Sequence, residues 1–289
     1  MQTLVHKLNA RVVGKGDTAI VLSHGFGTDQ SVWEPLLPAL AARYGVLLYD
    51  LASAPTAHPD VFDLRRHGEM AGYADDLAML MRWFGIDRCH FVGHSMSGML
   101  GLVAGSACPE RFQSLFLIGA SARYVDEDGY RGGFSRADVL SMLDAIAADF
   151  HGWTSDFAPM VLGRAADDLA AQTFLGSLRR MRPDIALLTR KSVLFGDCRE
   201  KLPLCGLPAL VLQSRDDVAV PLEAAVYLVA HLPRARLELI DAEGHLPHLT
   251  DPALVQKALL AHLERCEGAG PPVAACAGSA GGHSAPASR

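Results

Sequence analysis

Phe91-Val92-Gly93-His94-Ser95-Met96-Ser97-Gly98 is the stretch on which the reading of this chain turns. An apolar run from Cys89 to Val92 ends in a glycine, a serine follows two residues later, and Met99–Ala104 reads as the beginning of a helix. A strand that turns sharply into a helix with a serine at the apex is a nucleophile elbow. Its strained backbone lifts the hydroxyl clear of the sheet, and small neighbours let strand and helix pass close together. The second glycine of the G-x-S-x-G pattern is Ser97 here. Serine is small enough for the close approach, but the departure leaves the bare motif short of decisive, and a chance Gly-x-Ser in a strand-to-helix loop competes with it.

Moving outward, Thr18–Ser23 (TAIVLS) reads as a short buried strand, with another expected over Leu4–Val13. The turn His24-Gly25-Phe26-Gly27 comes directly after the first of these, where glycines allow the backbone to approach a reacting carbonyl; the amide of Phe26 is the candidate donor. Ser31–Ala42 reads as one helix, Val46–Tyr49 as a strand and Met70–Phe84 as an amphipathic helix stopped by Gly85. After the elbow helix, Leu115–Gly119 is a strand. Alternating strands and helices with continuously apolar strands argue for a parallel sheet covered on both faces. The strand signal then lapses: Ser135–Phe150, His151–Leu162, Ala166–Met181 and Asp184–Phe195 read as four helices, with Pro159 and Pro183 helping to mark their ends. The sheet resumes at Ala209–Gln213 and Leu237–Ile240, and Pro252–Arg265 is the closing helix. The expected organisation is a core of residues 1–123 and 196–266, an inserted helical lid at 124–195, and an Ala/Gly/Pro/Ser-rich tail at 267–289 too poor in apolar residues to bury a core.

The 289 residues are 50% hydrophobic and carry a net charge of −6, enough for one large domain and without the basic stripe of a nucleic-acid binder. No apolar run reaches membrane-spanning length, and Met1–Arg11 lacks the apolar core of a signal peptide. The six cysteines (Cys89, Cys108, Cys198, Cys205, Cys266 and Cys276) form no CxxC pair and read as reduced thiols of an intracellular protein. No cofactor motif and no metal-ligand spacing is present.

A serine hydroxyl needs a base within hydrogen-bond reach, and that base needs a group that fixes its tautomer. In α/β-hydrolases the chain order is serine, acid, histidine. Here Ser95 is followed by Asp216-Asp217 after a late strand and by His245 after the last one, both at the carboxyl ends of strands, where an open parallel sheet places its site. The residues alone leave Asp216 and Asp217 open as the acid, and His248 as a rival to His245. The amides of Phe26 and Met96 are the expected oxyanion donors. A serine at the elbow excludes relatives that attack with a carboxylate there.

The segments LSHGFGTDQSVW (Leu22–Trp33), FVGHSMSGM (Phe91–Met99), GGF (Gly132–Phe134), FAP (Phe157–Pro159), MRPDIAL (Met181–Leu187) and EGHLPHL (Glu243–Leu249) resemble the strigolactone- and karrikin-receptor α/β-hydrolases of plants, and more distantly the bacterial RsbQ-type hydrolases. The likeness runs to about Arg265. Those receptors also have serine at the position of Ser97, and their acid directly precedes a segment ending in Val-Pro, which corresponds to Asp217. Leu51-Ala52-Ser53-Ala54-Pro55 in place of a glycine-bearing loop, and Ala122 in place of a proline, make the chain more like the third, receptor-like branch. The resemblance implies an α/β-hydrolase fold with a V-shaped four-helix lid. It implies a pocket lined by Phe26, Tyr124, Phe134, Met142, Trp153, Phe157, Phe174, Leu194, Val218 and Ala219, with His24 beside it. It further implies slow hydrolysis of butenolides in a cytoplasmic and nuclear monomer that signals with an F-box protein and a Clp-ATPase-like repressor. A plain metabolic carboxylesterase, or a binding module with vestigial activity, is the alternative. Because no Arg or Lys falls within the pocket set, the expected ligand is small, neutral and apolar with one reactive carbonyl; an anion would need a positive partner to offset its desolvation.

Overall fold

The structure is a computed structural model and describes residues 2–268; the expected tail falls outside these residues, except that Glu267 and Gly268 belong to the last helix. Seven strands form one sheet: β1 (Arg11–Val13), β2 (Ala19–Ser23), β3 (Gly45–Leu48), β4 (Cys89–His94), β5 (Phe112–Ile118), β6 (Ala209–Asp216) and β7 (Ala235–Glu243). Their spatial order is β1-β3-β2-β4-β5-β6-β7, parallel throughout except for the edge pair β1–β3. The twofold alternation of a strand splits the apolar runs between two faces. Phe91, Leu115 and Leu117 point into one core, while Val92, Phe116 and Ile118 point into the other. Both faces are covered, which is why these strands read as unbroken apolar runs.

The helices are α1 (Gln2–Lys7), α2 (Leu37–Ala41), α3 (Leu64–His67), α4 (Met70–Trp83), α5 (Met96–Ala107), the lid helices α6 (Arg136–Ala148), α7 (Phe150–Leu162), α8 (Leu169–Arg179) and α9 (Pro183–Phe195), then α10 (Leu222–His231), α11 (Pro247–Thr250) and α12 (Pro252–Gly268). The lid helices begin and end where local chemistry dictates. Ser135 and Asp138 form a reciprocal capping box at the start of α6, Asp149 caps α7, Asp168 caps α8, and Pro183 opens α9. Val139, Leu143, Phe174 and Leu178 of the lid belong to the same buried cluster as Phe91 and Leu117 of the sheet.

Three expectations are corrected. Instead of a strand across Leu4–Val13, the chain forms α1, reverses at Asn9 with φ 47°, and pairs only Arg11–Val13; Leu4, Val5 and Leu8 lie at helical spacing, and the Asn9 side chain anchors the reversal on Asp50. Ser31–Ala42 is not one helix. Pro35 and Pro38 have no N–H to donate, so a tight turn at Gln30–Trp33 is followed by the short α2. Pro159 lies inside α7; Gly163, at φ 62°, ends that helix.

Candidate active site

Strand β4 delivers His94 and then Ser95, whose backbone is held at φ 54°, ψ −117°, a region few residues other than glycine enter. The close approach that the motif demands is visible in its neighbours. A Cβ on Gly93 would stand 2.5 Å from the Ser97 carbonyl oxygen, and one on Gly98 would stand 2.4 Å from the Ala120 Cβ. Ser95 accepts no cap role for α5; its hydroxyl is 2.8 Å from His245 Nε2. His245 in turn donates from Nδ1 to Asp217 Oδ2 at 2.8 Å. Asp217 is fixed by three further donors: Gln213 Nε2 on the same oxygen, and the Ala219 and Val220 amides on Oδ1. Asp216, by contrast, is exposed at the end of β6. The serine, the histidine and the second aspartate thus form one hydrogen-bonded line. The rival, His248, is buried, has no partner on either ring nitrogen among the described residues, and stacks on Trp33.

The imidazoles around this line are neutral. Burial lowers His24, drives His94 well below its ordinary value, and takes His248 down to about 3. His94 donates from Nε2 to the His245 carbonyl at 2.9 Å, joining the elbow to the histidine loop. Ser97 occupies the glycine position of the motif with a use for its hydroxyl. Tyr49 Oη lies 2.8 Å from Ser23 Oγ, which lies 2.8 Å from Ser97 Oγ, and Ser97 donates to the His24 carbonyl. The amides of Phe26 and Met96 make no hydrogen bond among the described residues.

Of the expected pocket set, Phe26, Tyr124, Phe134, Phe157, Phe174, Leu194 and Ala219 line a cavity above Ser95 and His245. The Tyr124 hydroxyl lies 3.3 Å from Ser95 Oγ, and burial pushes its ionisation upward. Four expected residues do not line it. His24 is spent on the backbone, accepting from the Leu51 amide on Nε2 and donating from Nδ1 to the Gly25 carbonyl. Trp153 lies behind Phe157, stacked on it at 4.6 Å. Met142 stands a layer back and offers its sulfur to Arg190. Val218 is 55% exposed, because the residues after Asp217 turn back to cap its carboxylate. The cavity is small, about 20 Å³, room for a water molecule rather than for a ligand.

The lining also includes His94, Val161, Leu246 and Arg190, which the sequence reading did not place there. Arg190 corrects the expectation of a pocket without a cation. A signal for it exists: Ala186, Arg190 and Leu194 recur every four residues on the buried stripe of α9. Burial lowers the Arg190 guanidinium to about 10, so it remains charged at neutral pH.

A serine on a strained elbow, a histidine and an acid in the loops after later strands, and a helical lid over the carboxyl edge of a parallel sheet define an α/β-hydrolase. Residues 18–252 match the family model for the alpha/beta hydrolase fold. The chain is 40% identical to the Karrikin insensitive 2 receptor CA of Petunia hybrida, over 88% of its own length and 95% of the relative's. It is also 40% identical to Strigolactone esterase D14 of Arabidopsis thaliana, over 91% and 98%. A solved hydrolase from Oleispira antarctica superposes with a TM-score of 0.86 at 28% identity, covering 91% of this chain and 97% of the other. The chain belongs to the α/β-hydrolase family of the strigolactone and karrikin receptors.

Proposed function

We propose that the protein is a slow serine hydrolase of a small ester or lactone, and that it doubles as a ligand-responsive receptor. The observation that carries the first half is the line from Asp217 through His245 to a serine held at φ 54°. In this reading Ser95 Oγ attacks the carbonyl carbon while its proton passes to His245 Nε2. The oxyanion is held by the Phe26 and Met96 amides, each such donor being worth roughly 2.7–4 kcal/mol in systems where one has been removed. The carbonyl–oxygen bond to the leaving group then breaks, and that oxygen takes the proton from His245. Water, deprotonated by the same imidazole, then attacks the acyl carbon, the bond to Ser95 Oγ breaks, and His245 returns the proton to that oxygen. Asp217 keeps His245 in the tautomer that presents a lone pair to the serine. Ser95→Ala should reduce turnover of a 4-nitrophenyl ester to the background rate while leaving the melting temperature near that of the wild type; undiminished turnover would refute the chemistry.

The receptor half is supported by the identity to receptors along nearly the whole chain. It takes as partners an F-box protein and a Clp-ATPase-like repressor, gathered when a butenolide-type ligand is bound. A pull-down with each partner, with and without butenolide, tests it. Ligand-dependent capture supports the receptor, whereas rapid turnover without capture supports a plain carboxylesterase. A module with vestigial activity fits poorly with a Ser95–His245–Asp217 line whose every bond is made.

A further inference from the structure

We infer that the ligand of this pocket carries a carboxylate, received by Arg190, so that the substrates are small esters or lactones of dicarboxylic character; this rests on the hydrolase reading above. Arg190 is 8% exposed and lines the cavity that contains Ser95 and His245. No carboxylate lies within ion-pair distance of it among the described residues, and none lines the cavity. Its Nε has no hydrogen-bond partner, and its Nη2 reaches only the sulfur of Met142, a weak acceptor. What surrounds the charge is aromatic: the guanidinium carbon stands 5.1 Å from the Phe26 ring centre, 5.0 Å from Phe157 and 6.0 Å from Trp153.

Those ring faces attract the cation but do not accept its in-plane N–H groups. Burying an ion is costly unless it is both paired and hydrogen-bonded, and Arg190 has no counter-ion and only a sulfur as acceptor among the described residues. A guanidinium presents a planar fork of donors that matches a carboxylate through two parallel hydrogen bonds. A ligand carboxylate would supply the missing charge and the missing acceptors together. A neutral, apolar ligand would supply neither, and would leave the cation sealed in the pocket with its donors unmet.

The test compares 4-nitrophenyl pentanoate with the mono-4-nitrophenyl ester of glutaric acid, which bears a terminal carboxylate, on the wild type, Arg190→Met and Arg190→Lys. The ratio of kcat/KM for the glutarate ester to that for the pentanoate ester should exceed ten in the wild type and fall at least tenfold in Arg190→Met, with Arg190→Lys between. A wild-type ratio of one or less, or a change of less than tenfold in Arg190→Met, overturns the inference. Binding is read separately on the Ser95→Ala protein, where glutarate should raise the melting temperature and dimethyl glutarate should not. Should Arg190→Met fail to fold, this measurement decides alone. Stabilisation by glutarate without turnover of either ester would retain the anion site and remove the hydrolase reading. Turnover of the pentanoate ester without stabilisation by glutarate would do the reverse.

Discussion

Asp216 and Asp217 are adjacent in sequence and opposite in setting. The chain after Asp217 folds back so that the Ala219 and Val220 amides close on one carboxylate oxygen while His245 and Gln213 hold the other. Asp216 ends β6 facing solvent. Asp217→Asn should therefore cost on the order of 10⁴-fold in ester hydrolysis, because the amide favours the wrong imidazole tautomer, and Asp216→Asn should leave the rate near that of the wild type. Steady-state kinetics on the two variants checks the pair; equal losses would refute the assignment. The residues alone could not choose between these neighbours, since the choice depends on a turn of backbone that either aspartate could have made. Arg190 was illegible for a different reason. A charged residue in a helix is read as solvated by default, and only its spacing from Ala186 and Leu194 marks it as inward-facing. His24 shows the converse, since it sits next to the reactive loop in sequence but is consumed by the Leu51 amide.

At the scale of elements, the elbow was the most legible part of the chain because sterics leave so few sequences that can make it. The lid helices were legible from the lapse of strand patterning and, for α9, from Pro183, whereas Pro159 marks no helix end. What escaped was short: α1, because three apolar residues fit a helix or a strand equally well over so few positions, and the break at Pro35, because periodicity outlasts the hydrogen bonds that proline removes. The sequence shows only that Ser97 is small enough for the elbow. In the structure it ties α5 to Ser23 of β2, through Ser23 to Tyr49 just past β3, and directly to the His24 carbonyl, and so braces the turn that bears the Phe26 amide. Ser97→Ala should destabilise the protein by about 1–3 kcal/mol, the cost of leaving buried groups unsatisfied, and should lower kcat for the 4-nitrophenyl ester. Denaturant unfolding checks the first expectation, and unchanged stability would show that the hydrogen-bonded chain bears no strain of the fold.

Across the whole molecule, buried neutral histidines set the response to acid. Burial lowers His90 to about 4, and His248 and His262 to about 3, whereas in the unfolded chain each titrates near 6.5. Between those values the unfolded state binds protons that the folded state refuses. Stability is therefore full above about pH 6.5 and falls as pH drops toward 4, by up to about 1.4 kcal/mol per pH unit for each such histidine. His248→Phe retains a ring against Trp33, which lies 4.6 Å away, and removes one titrating group, so its melting temperature should fall less steeply over that range; parallel curves would exclude His248 as a contributor. The cavity above Ser95, only about 20 Å³, has a consequence in time rather than in energy. The residues that line it have to move apart before a substrate meets the serine. Capture rates followed at rising substrate concentration should then level off at the rate of that separation, and the apparent dissociation constant should exceed the intrinsic one by the inverse of the open fraction. A hydrolase built this way can be slow with its chemistry fully intact.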